Sequence, residues 1–264
     1  MSTPDEAAAE LAHESLSTGD VIGWFEPLYA AAAVGDAVIP WDRGEPHPLL
    51  VDWAAASAGT SKDSGSAHDA VETEAIAGAS TASSDEYPRS AVETEAIAGA
   101  SAASSGRALV VGCGPGHDAE LIASLGYDTT AFDVSDSAIV GARGRHPHTT
   151  ARYLVANLFE LPTDWHRAFD LVVEVMTVQA MPRTVRAKAI ATIRDLVAPG
   201  GTLLVIGMHL PDDWMLEQGP PWPLTSEELE TFASDGLQGR LISAPREDGP
   251  DNYRYTLTRN DEAQ

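Results

Sequence analysis

The chain has 264 residues, 44% of them hydrophobic, and a formal net charge of −24 from 40 acidic against 16 basic side chains. A field of that sign repels nucleic-acid backbones and anionic membrane surfaces, and no basic stripe interrupts it. No apolar run approaches the roughly 18–20 residues that span a bilayer, and a single cysteine, Cys113, excludes an internal disulfide framework and a multi-cysteine zinc site. The acidic N-terminus has neither the basic nor the apolar region of a signal peptide, so a cytoplasmic location is expected. The carboxylates are scattered, and the only lysines are Lys62 and Lys188. That pattern reads as a surface adapted to high salt, the alternative being a cationic partner.

Three regions follow in chain order. Residues 1–53 carry periodic apolar positions with Trp24, Trp41 and Trp53, and are expected to form a helical lead-in, or lid, to the same domain as the C-terminal region. Residues 54–106 are rich in Ala, Ser, Thr, Glu and Gly. There the stretch from Ala70 to Ser80 recurs from Ala91 to Ser101, an offset of 91 − 70 = 21. Two copies are too few for a solenoid. One Val and one Ile per copy cannot offset the entropy of ordering, which predicts a mostly disordered insertion.

Residues 107–264 alternate strand-like and helix-like segments. Strands are expected at Ala108 to Val111, Asp128 to Phe132, Arg152 to Val155, Phe169 to Glu174 and Thr202 to Ile206. Helices are expected at Asp118 to Ser124, Asp136 to Arg143 (capped by Ser135) and Arg183 to Val197 (stopped by Pro199-Gly200-Gly201). Thr225 with Glu228 makes a capping box for a helix from Ser226 to Ser234. Leu237 to Ser243 and Asn252 to Thr258 close the chain as an antiparallel pair. The alternation implies an α/β fold: a doubly wound, mostly parallel, seven-stranded Rossmann-like sheet with an antiparallel edge strand.

The chemistry concentrates at the ends of three strands. Gly112-Cys113-Gly114-Pro115-Gly116 follows the first strand and opens a helix, where glycine backbones can approach a ligand. Asp133 lies 133 − 112 = 21 residues on, after the second strand, where an acid accepts the hydroxyls of an adenosine ribose. Asn157, after the third strand, suits an adenine edge. Candidate ligand-binding positions are therefore Gly112, Cys113, Gly114, Gly116, Asp118, Asp133, Val134, Asn157 and Leu158, with Glu174 at the end of the fourth strand. The Gly-x-Gly-x-Gly spacing departs from the Gly-x-Gly-x-x-Gly dinucleotide fingerprint. His146 and His148 lack an acid or cysteine at metal-ligand spacing, so no metal site is expected. Cys113 reads as a small filler.

Together with this loop, the stretch from Leu196 to Val205 resembles class I S-adenosylmethionine-dependent methyltransferases. The lead-in resembles a narrower group, the thiopurine S-methyltransferases and their halide/thiol methyltransferase relatives. Trp24-Phe-Glu-Pro-Leu-Tyr29, Trp41-Asp-Arg-Gly44, Gly116-His-Asp118 and Gly219-Pro-Pro-Trp222 carry that likeness, whereas Val111 stands where those relatives usually have Pro. The resemblance implies S-adenosyl-L-methionine as cofactor and a small-molecule methyl acceptor, a thiol or another soft nucleophile. It also implies that Trp41, and in one reading Trp24, covers the methionine half of the cofactor. An indole face near a sulfonium gains about 1–2 kcal/mol when desolvated; the alternative is that both rings fill core, and the polar turn after Trp41 favours the cofactor role for that ring. Asp42 and Arg43 offer an alternative, structural role, as a pair that fixes the lid.

Glu174 is the candidate catalytic group, orienting an amine or taking a proton, or else it caps the next segment. Gln179, Met208, His209 and Trp24 are further candidates for the substrate pocket, with Trp214 and Trp222 on its far side. Two alternatives are an O- or N-methyltransferase using Glu174 and a non-catalytic cofactor-binding module.

Overall fold

Alternation along three central strands decides the architecture. In β1 (Arg107–Val111), Leu109 and Val111 join one core and Ala108 and Val110 the other. In β5 (Val197–Met208), Leu203 and Val205 oppose Leu204 and Ile206 in the same way. β4 (Phe169–Val175) splits Val172 from Leu171 and Val173. Strands apolar on both faces must be covered twice, so helices lie on both sides. Each such Leu, Ile or Val contributes roughly 1.5–3 kcal/mol when fully buried.

The computed structural model describes residues 3–60, 106–211, 219–246 and 250–261. The tandem repeat and Trp214 lie outside them. The remaining strands are β2 (Asp128–Asp133), β3 (Arg152–Val155), β6 (Leu237–Ala244) and β7 (Asn252–Arg259), and the sheet order is β3-β2-β1-β4-β5-β7-β6. β1 to β5 pair in parallel, and β7 runs antiparallel to both β5 and β6. The antiparallel strand is therefore inserted next to the edge, and β6 is the edge. No helix among the described residues is long and apolar enough to cross a membrane.

The helices are α1 (Pro4–Ser17), α2 (Phe25–Ala33), α3 (Pro48–Thr60), α4 (His117–Ser124), α5 (Asp136–Arg145), α6 (Arg183–Asp195) and α7 (Ser226–Glu230). Two predicted caps form. Ser135 accepts from Ala138 N, and Thr225 with Glu228 makes a reciprocal box. α3 runs on to Thr60, beyond the start that composition assigns to the insertion.

Two boundaries differ from expectation. Pro199-Gly200-Gly201 does not separate helix from strand. β5 already pairs at Val197 with Phe169, bulges through those residues and resumes at Thr202 opposite Leu171. Arg259, only 3% exposed, makes this possible, because its guanidinium donates to the Arg194 and Val197 carbonyls where α6 ends. α7 stops at Glu230, short of the predicted Ser234. The Thr231 and Ser234 hydroxyls donate back to the Glu228 and Thr231 carbonyls, and Asp235 and Gly236 turn the chain through positive φ.

The lead-in packs as a third apolar cluster, in which Trp24, Phe25, Leu28, Tyr29 and Ile39 meet Ala138 of α5 and Trp222. A polar latch holds it there. Glu26 of α2 accepts from the Ser135 hydroxyl at 2.6 Å and from the Ser137 amide and hydroxyl at 3.1 and 2.6 Å, all at the N-terminus of α5. An exposed carboxylate at a helix start contributes about 0.3–1 kcal/mol. Glu26→Ala should therefore lose about 1 kcal/mol in urea unfolding, with the slope of the transition unchanged.

Candidate functional site

The C-terminal ends of β1, β2 and β4, roofed by the lead-in, enclose a cavity of about 910 Å³. Ligands of parallel α/β sheets bind at this end. Among the predicted positions, Trp41, Gly112, Cys113, Gly114, Asp118, Asp133, Val134, Asn157, Leu158 and Met208 line it.

The loop is built around Asp133, which is 6% exposed. Its carboxylate accepts from Gly114 N at 2.9 Å and Ser135 N at 3.0 Å, tying β1 to β2. Burial pushes its pKa up against the pull of these backbone donors. A carboxylate has about four lone-pair sites, so two amides do not exhaust it. The three glycines have positive φ of 60°, 47° and 93° at Gly112, Gly114 and Gly116. Their need for hydrogen is set by protein, not only by a ligand. A Cβ would meet Thr177 at Gly112, the Tyr29 hydroxyl at Gly114, and Tyr153 with Ala142 at Gly116. Gly116 thus faces away from the cavity and starts α4. Cys113 is buried, its N–H donates to Phe132 O, and burial first and then Asp133 hold its thiol well above the usual range. It remains a neutral filler.

Asn157 lines the cavity while its Oδ1 accepts from Phe159 N, which leaves its amide NH₂ and the second Oδ1 lone pair for a ligand edge. Asp118 sits at the start of α4, with its Oδ1 accepting from His47 N at 2.8 Å. Trp41 is half-buried and donates Nε1–H to the Tyr29 hydroxyl at 3.0 Å.

Trp24 is 1% exposed and does not reach the cavity. It stacks on Phe25 at 4.1 Å and meets Trp41 edge-on at 5.8 Å, so it is the packing under Trp41. The alternative Asp42–Arg43 pair is replaced by Asp42 with His117 at 3.3 Å and Arg145 at 3.9 Å, contacts that fasten the lead-in to α4 and α5.

Glu174, 2% exposed, is not on the cavity wall. Alternation turns it to the opposite face from Val173 and Val175, and its Oε1 accepts from Val178 N at 2.8 Å. It caps the segment after β4. Burial pushes its pKa up to about 7, against the pull of the Val178 and Thr177 amides.

Gln179 is likewise buried off the wall. Its amide brackets Met208, accepting from Met208 N at 2.8 Å and donating to Met208 O at 3.3 Å, and so holds a residue that does line the cavity. His209 turns to the Ser243 hydroxyl at 2.9 Å, near the sheet edge. Trp222 packs in the lead-in cluster beside a separate cavity of about 220 Å³. Among the described residues no group of three or more His, Cys, Asp or Glu could hold a metal ion.

Several wall residues escape a motif reading: Phe25, Tyr29, His47, Phe132, Met176 and Thr177. Phe25 and Tyr29 share a face of α2 at i, i+4 spacing, which signals burial without saying against what. Met176 has φ 60°, a strained position for a non-glycine residue at the end of β4, and its N–H donates to Ile206 O.

Comparison with known proteins gives similarities of sequence and fold. A family model described as a methyltransferase domain matches residues 108–201. Thiocyanate methyltransferase 1 of Brassica oleracea is 27% identical over 127 residues, 47% of this chain and 55% of that protein. Thiopurine S-methyltransferase of Vibrio vulnificus is 34% identical over 61 residues, 23% of this chain and 27% of that protein. The chain spans about half the length of the thiocyanate methyltransferases it matches.

One solved structure concerns the conversion of a disulfide bond into a thioacetal group during echinomycin biosynthesis. It covers 90% of this chain and 94% of its own at 19% identity, with a TM-score of 0.58. The Burkholderia thailandensis 1,6-didemethyltoxoflavin-N1-methyltransferase, solved with bound 1,6-didemethyltoxoflavin and S-adenosylhomocysteine, matches over 59% of this chain and 72% of its own at 17% identity and a TM-score of 0.50. The stretch 108–201 thus matches a methyltransferase-domain model, the mostly parallel seven-stranded sheet has a methyltransferase-like fold, and the chain is similar in sequence to thiocyanate and thiopurine methyltransferases.

Proposed function

We propose that the protein is an S-adenosylmethionine-dependent methyltransferase acting on a small molecule at a thiol or another soft nucleophile. The observation that carries this is Asp133, which braces the glycine loop with two backbone bonds and still faces the cavity with lone pairs for a ribose diol. The fit of the donor rests on that carboxylate, the Asn157 amide, the half-buried Trp41 ring and a cavity of about 910 Å³. When bound, the donor supplies a sulfonium-activated methyl carbon.

The chain's own residues then bind, orient and exclude water. Phe25, Tyr29 and Trp41 roof the cavity, and Met176, Met181 and Met208 give its wall apolar, polarizable surface suited to a soft acceptor. With the donor held by Asp133, Asn157 and Trp41, the chain's part would be to align an acceptor thiolate with the donor's methyl carbon, the thiol proton having left to solvent. A thiol already has a thiolate fraction near neutral pH, so no general base is required. The buried Glu174 supports this reading over an O- or N-transfer with Glu174 as base, because its carboxyl does not reach the wall.

The test is calorimetric titration with S-adenosylmethionine and S-adenosylhomocysteine at low and high salt, followed by methyl-transfer assays on thiol, halide and metabolite acceptors. Micromolar binding with thiol turnover is expected. Folded protein that binds neither ligand at either salt would overturn the proposal. Trp41→Ala should weaken S-adenosylmethionine roughly tenfold, the cation–π share of about 1–2 kcal/mol, while S-adenosylhomocysteine, lacking the charge, changes less.

A further inference from the structure

His47 is 3% exposed and lines the cavity at the start of α3. Its carbonyl accepts from Leu50 and Val51, and its Nδ1 accepts from Leu49 N at 3.2 Å. A ring nitrogen that accepts carries no proton, so the neutral ring is protonated at Nε2. Burial, then the positive Arg43 and Arg246, bring its pKa down to about 4, and the ring is neutral at physiological pH. Nε2 has no partner among the described residues. Buried donors are rarely left so, because an unmade bond costs about 1–3 kcal/mol.

Two guanidiniums stand beside it. Arg43 and Arg246 are exposed, both line the same cavity, and neither forms an ion pair with a described residue. In a chain with 40 acids and 16 bases, most cations should find a carboxylate. Of the acids on the same wall, the half-buried Asp118 is engaged at Oδ1 by the His47 amide, Asp42 is taken by His117 and Arg145, and Glu45 is exposed.

We infer that Arg43, His47 and Arg246 form a subsite for the carboxylate of a ligand in this cavity, with His47 donating through Nε2–H. The inference rests on the proposed methyl transfer and deepens it. Two ligands could bring the carboxylate. One is the amino-acid end of the donor, whose ammonium would then face Asp118. The other is an acidic acceptor.

The experiment compares the wild type with His47→Asn, which keeps an acceptor for Leu49 N, and with the double variant Arg43→Gln/Arg246→Gln. One arm titrates S-adenosylhomocysteine against 5′-methylthioadenosine, which lacks the amino-acid end. The other measures KM for 3-mercaptopropionate against its methyl ester. A donor carboxylate predicts tenfold or greater weakening of S-adenosylhomocysteine in the variants with 5′-methylthioadenosine unchanged. An acceptor carboxylate predicts a tenfold or greater rise in KM for the acid with the ester unchanged. If the wild type methylates neither thiol, the donor arm decides. Unchanged values in both arms overturn the inference alone. A wild type that does not bind S-adenosylhomocysteine overturns the donor reading, and this inference with it.

Discussion

Asp133→Ala is expected to weaken S-adenosylhomocysteine binding by a hundredfold or more in calorimetric titration and to lower the thermal midpoint as well. The carboxylate is 6% exposed and accepts from Gly114 N and Ser135 N, which ties the loop after β1 to the start of α5. Bonds to a charged acceptor contribute about 1.5–3 kcal/mol each, so losing two from a ribose diol corresponds to roughly two to four orders of magnitude. Truncation also leaves two buried amides unmatched, at about 1–3 kcal/mol each. Asp133→Asn separates these effects. Its Oδ1 can still accept from one amide, while its NH₂ opposes the other donor, so the fold should suffer less than in the alanine variant and binding nearly as much. A folded Asp133→Ala that binds S-adenosylhomocysteine like the wild type would remove Asp133 from the site.

The strand ends were readable because they rest on local chemistry. A glycine loop after an apolar strand, an acid at the end of the next strand and a serine cap each announce themselves within a few residues, as Gly112, Asp133 and Ser135 do. What was not readable depends on direction and on partners distant in sequence. Glu174 follows a buried strand just as Asp133 does, yet pleating points it under the segment from Val178 to Ala180 instead of into the cavity. Trp24 and Trp41 look alike in the lead-in, and only packing decides that one lies under the other. Pro199-Gly200-Gly201 has the residues of a stop signal, but Arg259, sixty residues later, caps the α6 carbonyls and lets β5 begin before it. Asp42 found His117 of α4 and Arg145 of α5 rather than its neighbour, and partners so far along the chain leave no local signal.

Glu174 yields a result opposite in sign to the usual one for a removed carboxylate. Its pKa is raised by burial from the ordinary 4.5 to about 7 in the folded chain. Between those values the native state keeps a proton that the unfolded chain has released. The stability contributed by this one group is therefore fully present below pH 4.5, falls as pH rises through the window, and is lost above about pH 7. At 1.36 kcal/mol per unit the full loss is about 3 kcal/mol. Glutamine has nearly the same shape, can accept from Val178 N and never ionises. Glu174→Gln should then match the wild type near pH 4.5 and exceed it by about 3 kcal/mol at pH 8, read from urea unfolding at both pH values. Methyl transfer should persist, since the side chain lies behind the cavity wall. A rate lost together with its alkaline pH dependence would instead make Glu174 the base of an O- or N-methyl transfer, and would require its carboxyl to leave Val178 and enter the cavity.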